Sequence, residues 1–476
     1  MAFRGEAGDV AALAGLGLGD EGKGSFVDAW VRRQRQSSLV VRYNGGPQAA
    51  HHVVLPDGRG HCFAQLGAGM LRDGTRTLLS PFMLVEPLSL LREASQLEAL
   101  GVAGPLGRTV VSRRSVVVTP FHRLLGRLRE LSRGGARHGS CGLGVGQAWL
   151  DSHNPSLPSL RVADLLDHSR LPQQLRFLQL VKVDQAEQLL DGLPSAMEAG
   201  AHRALYEDLK SRELIGHLAD GYGRFLSSGV TIDDGTVLRA ARSGGQPVIL
   251  EGAQGALLDA VHGFFPFVTP SRTSFVQAEA LLDGERPERL GILRAYATRH
   301  GPGPLVSEDA QLTAQLAEAH NIPNPWQGPM RVGWFDAVAA RYALALVGGI
   351  DGLVVSCLDR LQGLGPLRLC RAYRYVGPAV PDFHEFFVGT GDGVLRDLRL
   401  DERPSLLRQQ RLTELLAHCQ PLYEELPPLD EVRRSDGTLT AQAVAYLDAL
   451  RDALGLSSVE LRCVSVGPTA GDKLWR

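Results

Sequence analysis

Along this chain, short apolar runs alternate with stretches whose apolar residues recur at helical spacing. The continuous apolar or β-branched runs predict strands at Ala11–Leu18, Leu39–Tyr43, Thr75–Leu79, Thr109–Val118, Val248–Gly252, Leu293–Thr298, Leu353–Leu358 and Arg462–Val466. Helical spacing predicts helices at Pro87–Leu100, Pro120–Ser132, Gln173–Gly192, Ala196–Ser227, Trp334–Val347 and Thr440–Leu454. Strands that are apolar throughout are expected where helices cover both faces of a sheet. Strand–helix alternation therefore predicts an α/β fold with a large, mainly parallel central sheet flanked by helices. Residues Asp167–Ser228 are helix-patterned almost throughout and form a helical excursion. With no internal repeat and no compositional boundary, the expectation is one domain over residues 1–476, with a C-terminal part from about residue 350.

Composition narrows the classes. The 476 residues are 44% hydrophobic and 21% charged, which excludes disorder as the main state. The net charge of −2 argues against nucleic-acid or membrane-surface partners held by bulk electrostatics. No run of 18 apolar residues is present to span a membrane. Val10–Gly19 is apolar, but Glu6, Asp9, Asp20 and Glu21 flank it, unlike a secretory signal. Six cysteines without a CxxC pair predict neither a disulfide framework nor a zinc site, and suit a cytoplasmic location. Only Lys23, Lys182, Lys210 and Lys473 are lysines, against 46 arginines, so the place of each lysine is informative.

One lysine lies in a glycine-rich loop. Gly15-Leu-Gly-Leu-Gly-Asp-Glu-Gly-Lys-Gly-Ser25 follows a predicted strand and precedes a helical pattern starting at Phe26. Such a loop lets backbone N–H groups and a helix N-terminus approach phosphate. Gly17–Lys23 fits the first seven positions of a P-loop, but Gly24 stands where Ser or Thr would hold magnesium. Asp20 and Glu21 are unusual beside phosphate unless one holds a metal or removes a proton. A glycine-rich turn with a solvated lysine gives the same local pattern.

Further blocks make a resemblance specific. Gly19-Asp-Glu-Gly-Lys-Gly24 resembles the signature of adenylosuccinate synthetases. In chain order, Val41–His52 resembles VRYxGGxNAGHT, Glu251–Asp259 resembles EGAQGxLLD, and Pro266–Thr269 continues it. Thr298-Arg-His-Gly-Pro-Gly-Pro304 resembles TRVGxGP, Gly333–Val338 resembles GWFDAV, Leu358-Asp359 sits at TKLD, and Ser465–Pro468 sits at STGP. The similarity spans roughly residues 11–470.

That family couples GTP to the condensation of IMP with aspartate, so the resemblance implies a GTP-dependent ligase using Mg2+. It implies that Asp20 is general base and metal ligand, with the Ala50 carbonyl as a second metal contact. His51 becomes the general acid, and Lys23 a point charge on phosphate. Nucleotide contacts fall on Gly19, Glu21, Gly22, Gly24, Arg331, Asp359, Ser465 and Gly467, with Asp359 reading guanine in the C-terminal part. Acceptor contacts fall on Gln48, Cys141, Gln254 and Thr269. The partners implied are small molecules (GTP, a purine-like acceptor and an amine) and a second copy of the chain in a homodimer.

Departures cluster on the acceptor side. The family block GTTxxGIGP reads Gly139-Ser-Cys-Gly-Leu-Gly-Val-Gly-Gln147, and Asp151–Ser159 lacks the arginine that follows it in the family. Bidentate arginine contacts to phosphate are strong, so the loss matters. TTGRxRR reads Pro325-Trp-Gln-Gly-Pro-Met-Arg-Val332, keeping only Arg331 and predicting a more apolar pocket around Trp326 and Met330. Cys357 replaces a lysine two residues before Asp359. The first reading is therefore a ligase of this type with an altered acceptor or amine. The alternatives are the ordinary synthetase reaction, and a nucleotide-binding regulatory protein that no longer catalyses.

Overall fold

The computed structural model describes residues 10–193, 200–318, 325–389 and 393–476. The first four residues of the helix predicted from Ala196 lie outside them.

Ten strands form the central sheet: β1 (Val10–Gly15), β2 (Leu39–Arg42), β3 (Arg76–Leu79), β4 (Thr109–Ser112), β5 (Thr231–Asp233), β6 (Val248–Gly255), β7 (Glu288–Arg294), β8 (Gly352–Ser356), β9 (Glu460–Ser465) and β10 (Lys473–Trp475). Their spatial order is β10-β9-β8-β7-β1-β6-β2-β3-β4-β5. All neighbouring pairs are parallel except β9 with the edge strand β10. Alternation sends side chains to opposite faces. Ala12, Ala14, Val41, Leu250 and Val355 join one buried cluster, and Ala11, Leu13, Val40, Ile249 and Val354 join the other. That two-sided burial is why these strands read as unbroken apolar runs.

Helix boundaries follow local chemistry. Pro87–Ala99 starts where Glu86 accepts from the Leu88 and Ser89 N–H groups, with proline in the first turn. Pro120–Ser132 starts with a Thr119/His122 capping box. The helical excursion consists of Leu171–Asp191, Ala201–Lys210 and Glu213–Leu226. Lys182 is fully buried there and donates to Asp151 at 2.6 Å, and Asp151 accepts from His122 at 3.0 Å.

Some elements differ from the sequence pattern. The Thr109–Val118 run is broken by the turn at Arg113–Arg114, leaving β4 and the short strand Val116–Val117. The strand predicted at Leu293–Thr298 divides into β7 and Ala297–His300. A smaller sheet joins Phe335–Asp336, Leu367–Tyr375, Phe387–Gly389, Val394–Leu398 and Cys419–Leu426, so the first residues predicted for the Trp334 helix are strand.

The parallel strands point their carboxyl ends to one edge. Gly15, Arg42, Gly255, Arg294, Ser356 and Ser465 end their strands there, and the glycine loop, Gln48–His51, Thr298–Pro304 and Asp359 follow such ends. At β1 the chain connections part to the two sides of the sheet, with β6 on one flank and β7 on the other. Open α/β sheets place ligands at such a switch point.

Candidate functional site

A cavity of about 950 Å³ opens at that edge. Its wall carries Gly19–Gly24, Gln48, Ala50, His51, Cys141, Gln254, Thr269, Asp359, Ser465 and Gly467. Those are all the candidate residues except Arg331. Arg331 lies in the strand Met330–Gly333, pairs with Glu308, and donates to the Gly301 and Gly303 carbonyls at 2.9 Å each. Its guanidinium braces the neighbouring loop and does not reach the cavity wall.

The glycine loop wraps its own carboxylate. Glu21 is buried and accepts from the Gly17 and Gly19 N–H groups at 3.1 and 2.9 Å. It also pairs with Lys23, the first residue of helix α1 (Lys23–Arg33). A Cβ on Gly15 or Gly255 would lie within 2.4 Å of the Glu21 carboxylate, so these positions need glycine. Glu21 thus faces into the loop and organises it, although its residue borders the cavity. The missing P-loop hydroxyl also has a packing cause: a Cβ on Gly24 would sit 2.6 Å from the His51 Cβ.

Asp20 adopts φ 61°, a left-handed conformation uncommon outside glycine. Its Oδ2 lies 2.7 Å from His300 Nε2. Burial works to raise the Asp20 pKa, but the hydrogen bond and charge of His300, with Arg294 and Lys23 behind, bring it down to about 2. His300 is raised in turn: burial opposes its charge, and Asp20 outweighs burial.

His51 is held at both nitrogens. Nδ1 lies 2.6 Å from Glu251 Oε1 and Nε2 lies 3.1 Å from the Ala253 carbonyl. Glu251 also accepts from the Ala68 N–H at 3.1 Å and lies 4.0 Å from Arg42. Two acceptors around one ring favour the doubly protonated form, whereas burial pulls the His51 pKa down against Glu251. A proton on Nε2 is accordingly easy to release.

Elsewhere on the wall, both amide atoms of Gln254 and Oε1 of Gln48 are buried without hydrogen-bond partners. Such groups are rare in native interiors, and a hydrogen-bonding ligand would satisfy them. Thr269 Oγ1 reaches only Ser271, at 3.5 Å. Cys141 lies on the wall with its thiol pKa pushed up by burial. Trp326 and Met330 do not line the cavity. Gly142 packs against the Trp326 ring and Arg127 stacks over it at 5.0 Å, so the indole clamps one loop to another. Arg133, Arg294, Arg299 and Arg360 line the cavity with positive charge, and His138, whose pKa burial pulls down, lines it beside them. Arg299 donates to the Pro302, Pro304 and Phe267 carbonyls, and burial beside Arg331 pulls its pKa down to about 9.

Where Asp359, Ser465 and Gly467 border the cavity, burial raises the Asp359 pKa. Cys357 is not a strand residue: it follows β8 at φ 57° and borders the cavity. Lys473, at the start of the antiparallel strand β10, enters the same region. Its Nζ donates to the Gly467 and Thr469 carbonyls at 3.0 and 2.8 Å. Lysine scarcity was the one signal for it. His300 was visible only as a polar residue where TRVGxGP has valine, and Glu251 only as a motif letter.

The oxygen donors suit a magnesium ion carried on nucleotide phosphates. Such an ion takes one or two protein oxygens rather than a full cage. Asp20 stays ionised, and Ala50 is an exposed backbone position on the wall. Among the described residues no group of three or more His, Cys, Asp or Glu forms a cage by itself.

The family model for adenylosuccinate synthetase matches residues 12–473. The adenylosuccinate synthetase of Desulforudis audaxviator is 33% identical over 96% of this chain and 95% of that protein. That of Thioalkalivibrio sulfidiphilus is 32% identical over 97% of each. Among solved structures, fully ligated adenylosuccinate synthetase from Plasmodium falciparum aligns with a TM-score of 0.77 at 22% identity, covering 98% of this chain and 100% of that one. The succinoaminodeoxyadenylate synthetase PurZ of cyanophage S-2L, bound to dGMP and dATP as an energy donor, aligns at 0.56 and 16% identity, covering 98% and 95%.

Proposed function

The chain belongs to the adenylosuccinate synthetase family of GTP-dependent, C–N bond-forming ligases, and from that premise we propose that it joins aspartate to IMP. The observation that carries this reading is the convergence of motif residues from separate strand ends on one cavity. The curated relatives, matched over nearly their whole length, favour this ordinary reaction over the altered acceptor or amine that the motif departures suggest.

In the proposed reaction, Asp20 accepts the proton from purine N1 and the 6-oxygen attacks the γ-phosphorus of GTP, releasing GDP. The aspartate amine then attacks C6 and the C6–oxygen bond breaks, releasing phosphate. Glu251 orients His51, and the Nε2 proton of His51 stabilises the 6-oxygen as charge develops. Lys23 and the N-terminus of α1 hold phosphate oxygens, which requires Lys23 to share itself with Glu21. When bound, Mg2+ would be held by Asp20 and the Ala50 carbonyl and would neutralise phosphate charge. Gln48, Gln254, Thr269 and Cys141 contact the acceptor, and Asp359, Ser465 and Gly467 the base of the nucleotide.

We propose a homodimer in the cytoplasm. Exposed Leu150, Phe177 and Leu180 lie on two helices joined by the Asp151–Lys182 pair, an apolar face for a second copy. The six cysteines are all unpaired, which suits a reducing compartment. Among the described residues no helix is long and apolar enough to cross a membrane.

A second reading, an altered acceptor, is favoured by the placement of Arg331 on Glu308 and by Ser140, Cys141 and Gln147 on the acceptor wall. The test is substrate-dependent phosphate release. IMP and aspartate together, with GTP, should be required. Release with dGMP and not with IMP would move the assignment to the second reading.

A further inference from the structure

His300 stands where the TRVGxGP pattern has valine, and it places a nitrogen on the Asp20 carboxylate of the cavity wall. Both side chains are about three-quarters buried, 24% and 23% exposed. The segment carrying His300 is fixed. Arg299 donates to three surrounding carbonyls, and Thr298 donates to the Gly19 carbonyl at 3.3 Å, tying this segment to the Asp20 loop. Gly301 turns at φ 69°, where a Cβ would lie 2.1 Å from the Gln327 carbonyl oxygen. Asp20 is also in a left-handed conformation, so both partners are held by unusual backbone.

We propose that His300 is a positioning residue for Asp20: its Nε2–H holds Oδ2 and competes there with any cation or proton brought by substrate. This rests on the reading of Asp20 as proton acceptor and metal ligand. A valine cannot donate, so the family pattern leaves that oxygen to incoming groups. Here an incoming cation must share the carboxylate with an imidazole or displace it. The arrangement trades cation affinity for a fixed carboxylate orientation.

The experiment uses the full chain with His300→Val, His300→Asn, Asp20→Asn and the double variant Asp20→Asn/His300→Val. Mn2+ affinity in the presence of GTP is read by electron paramagnetic resonance, beside kcat and each KM. His300→Val should bind Mn2+ several-fold more tightly and lose about tenfold in kcat, with KM for acceptor and amine unchanged. His300→Asn, which still offers an N–H, should recover part of both. In the Asp20→Asn background His300→Val should leave Mn2+ affinity unchanged. Unchanged Mn2+ affinity in His300→Val, or an equal effect with and without Asp20, overturns the proposal. Absence of turnover with every acceptor tried counts against the reaction assigned above, while the Mn2+ measurement still decides the role of His300.

Discussion

Replacing Glu251 with glutamine removes one negative charge from a place that solvent does not reach. Glu251 and Arg42 are both fully buried, and Glu251 joins His51, the Ala68 N–H and Arg42. In Glu251→Gln the new amide could keep the Ala68 bond through its oxygen. It could not keep a charge-assisted bond at 2.6 Å, and the Arg42 charge would be left with only the Ala64 and Leu66 carbonyls. Removing one partner from a buried charge pair costs about 3–5 kcal/mol. That is a large share of a typical folding free energy of roughly 5–15 kcal/mol. The His51 pKa, already lowered by burial, would fall further, because Glu251 is the group that opposes that burial. Loss of a general acid of this kind costs about 100-fold or more in turnover. Urea unfolding gives the first number, 15N shifts of the His51 ring give its titration, and phosphate release gives the third. A variant with unchanged unfolding midpoint, an unchanged His51 titration and turnover within about threefold of the parent would refute the coupling.

Acid should weaken the protein through Asp20. Its pKa is depressed from 3.8 to about 2, so its stabilisation is complete above about pH 4 and is lost as the pH falls toward 2. The loss is about 2 kcal/mol, and Asp20→Asn should show it at neutral pH while flattening that acid limb in urea titrations. His300 acts in the opposite sense: its raised pKa stabilises the fold below its ordinary value of 6.5, and the gain disappears as the pH rises through the folded value. Gly24→Ser, which completes the P-loop consensus, should lose about 1–3 kcal/mol in unfolding free energy because its Cβ meets His51; a gain in GTP affinity without that loss would contradict the packing. Lys473→Met should weaken GTP binding by about tenfold in calorimetry, since the Gly467 and Thr469 carbonyls lose their shared donor; undiminished affinity would place Lys473 outside the base pocket.

The central sheet was legible because its strands are buried on both faces, as at Val40 and Val41, which enter opposite clusters. Helix starts marked by Pro87 and Pro120 were legible for a local reason, since proline and its capping partner fix the first turn. β7 was misplaced because it begins with charged Glu288 and Arg289, which are satisfied by Arg462, Glu279 and the Gly348 carbonyl. The smaller sheet escaped notice because its pairings, such as Leu367–Tyr375 with Cys419–Leu426, join segments far apart in sequence. The site divides in the same way. Residues within contiguous motifs reached the cavity wall as expected, whereas Arg331 was drawn away by Glu308. His300 and Glu251 act through Asp20 and His51, 280 and 200 residues away in sequence, and Lys473 through carbonyls of the loop before it, which no residue pattern shows.

Phosphate release from GTP and Mg2+, with and without IMP and aspartate, in the parent protein and in Asp20→Ala, tests the account most directly. Release should require IMP and aspartate together, and Asp20→Ala should abolish it while still binding GTP. Release that needs neither substrate, or that persists undiminished in Asp20→Ala, would contradict the assignment of this cavity.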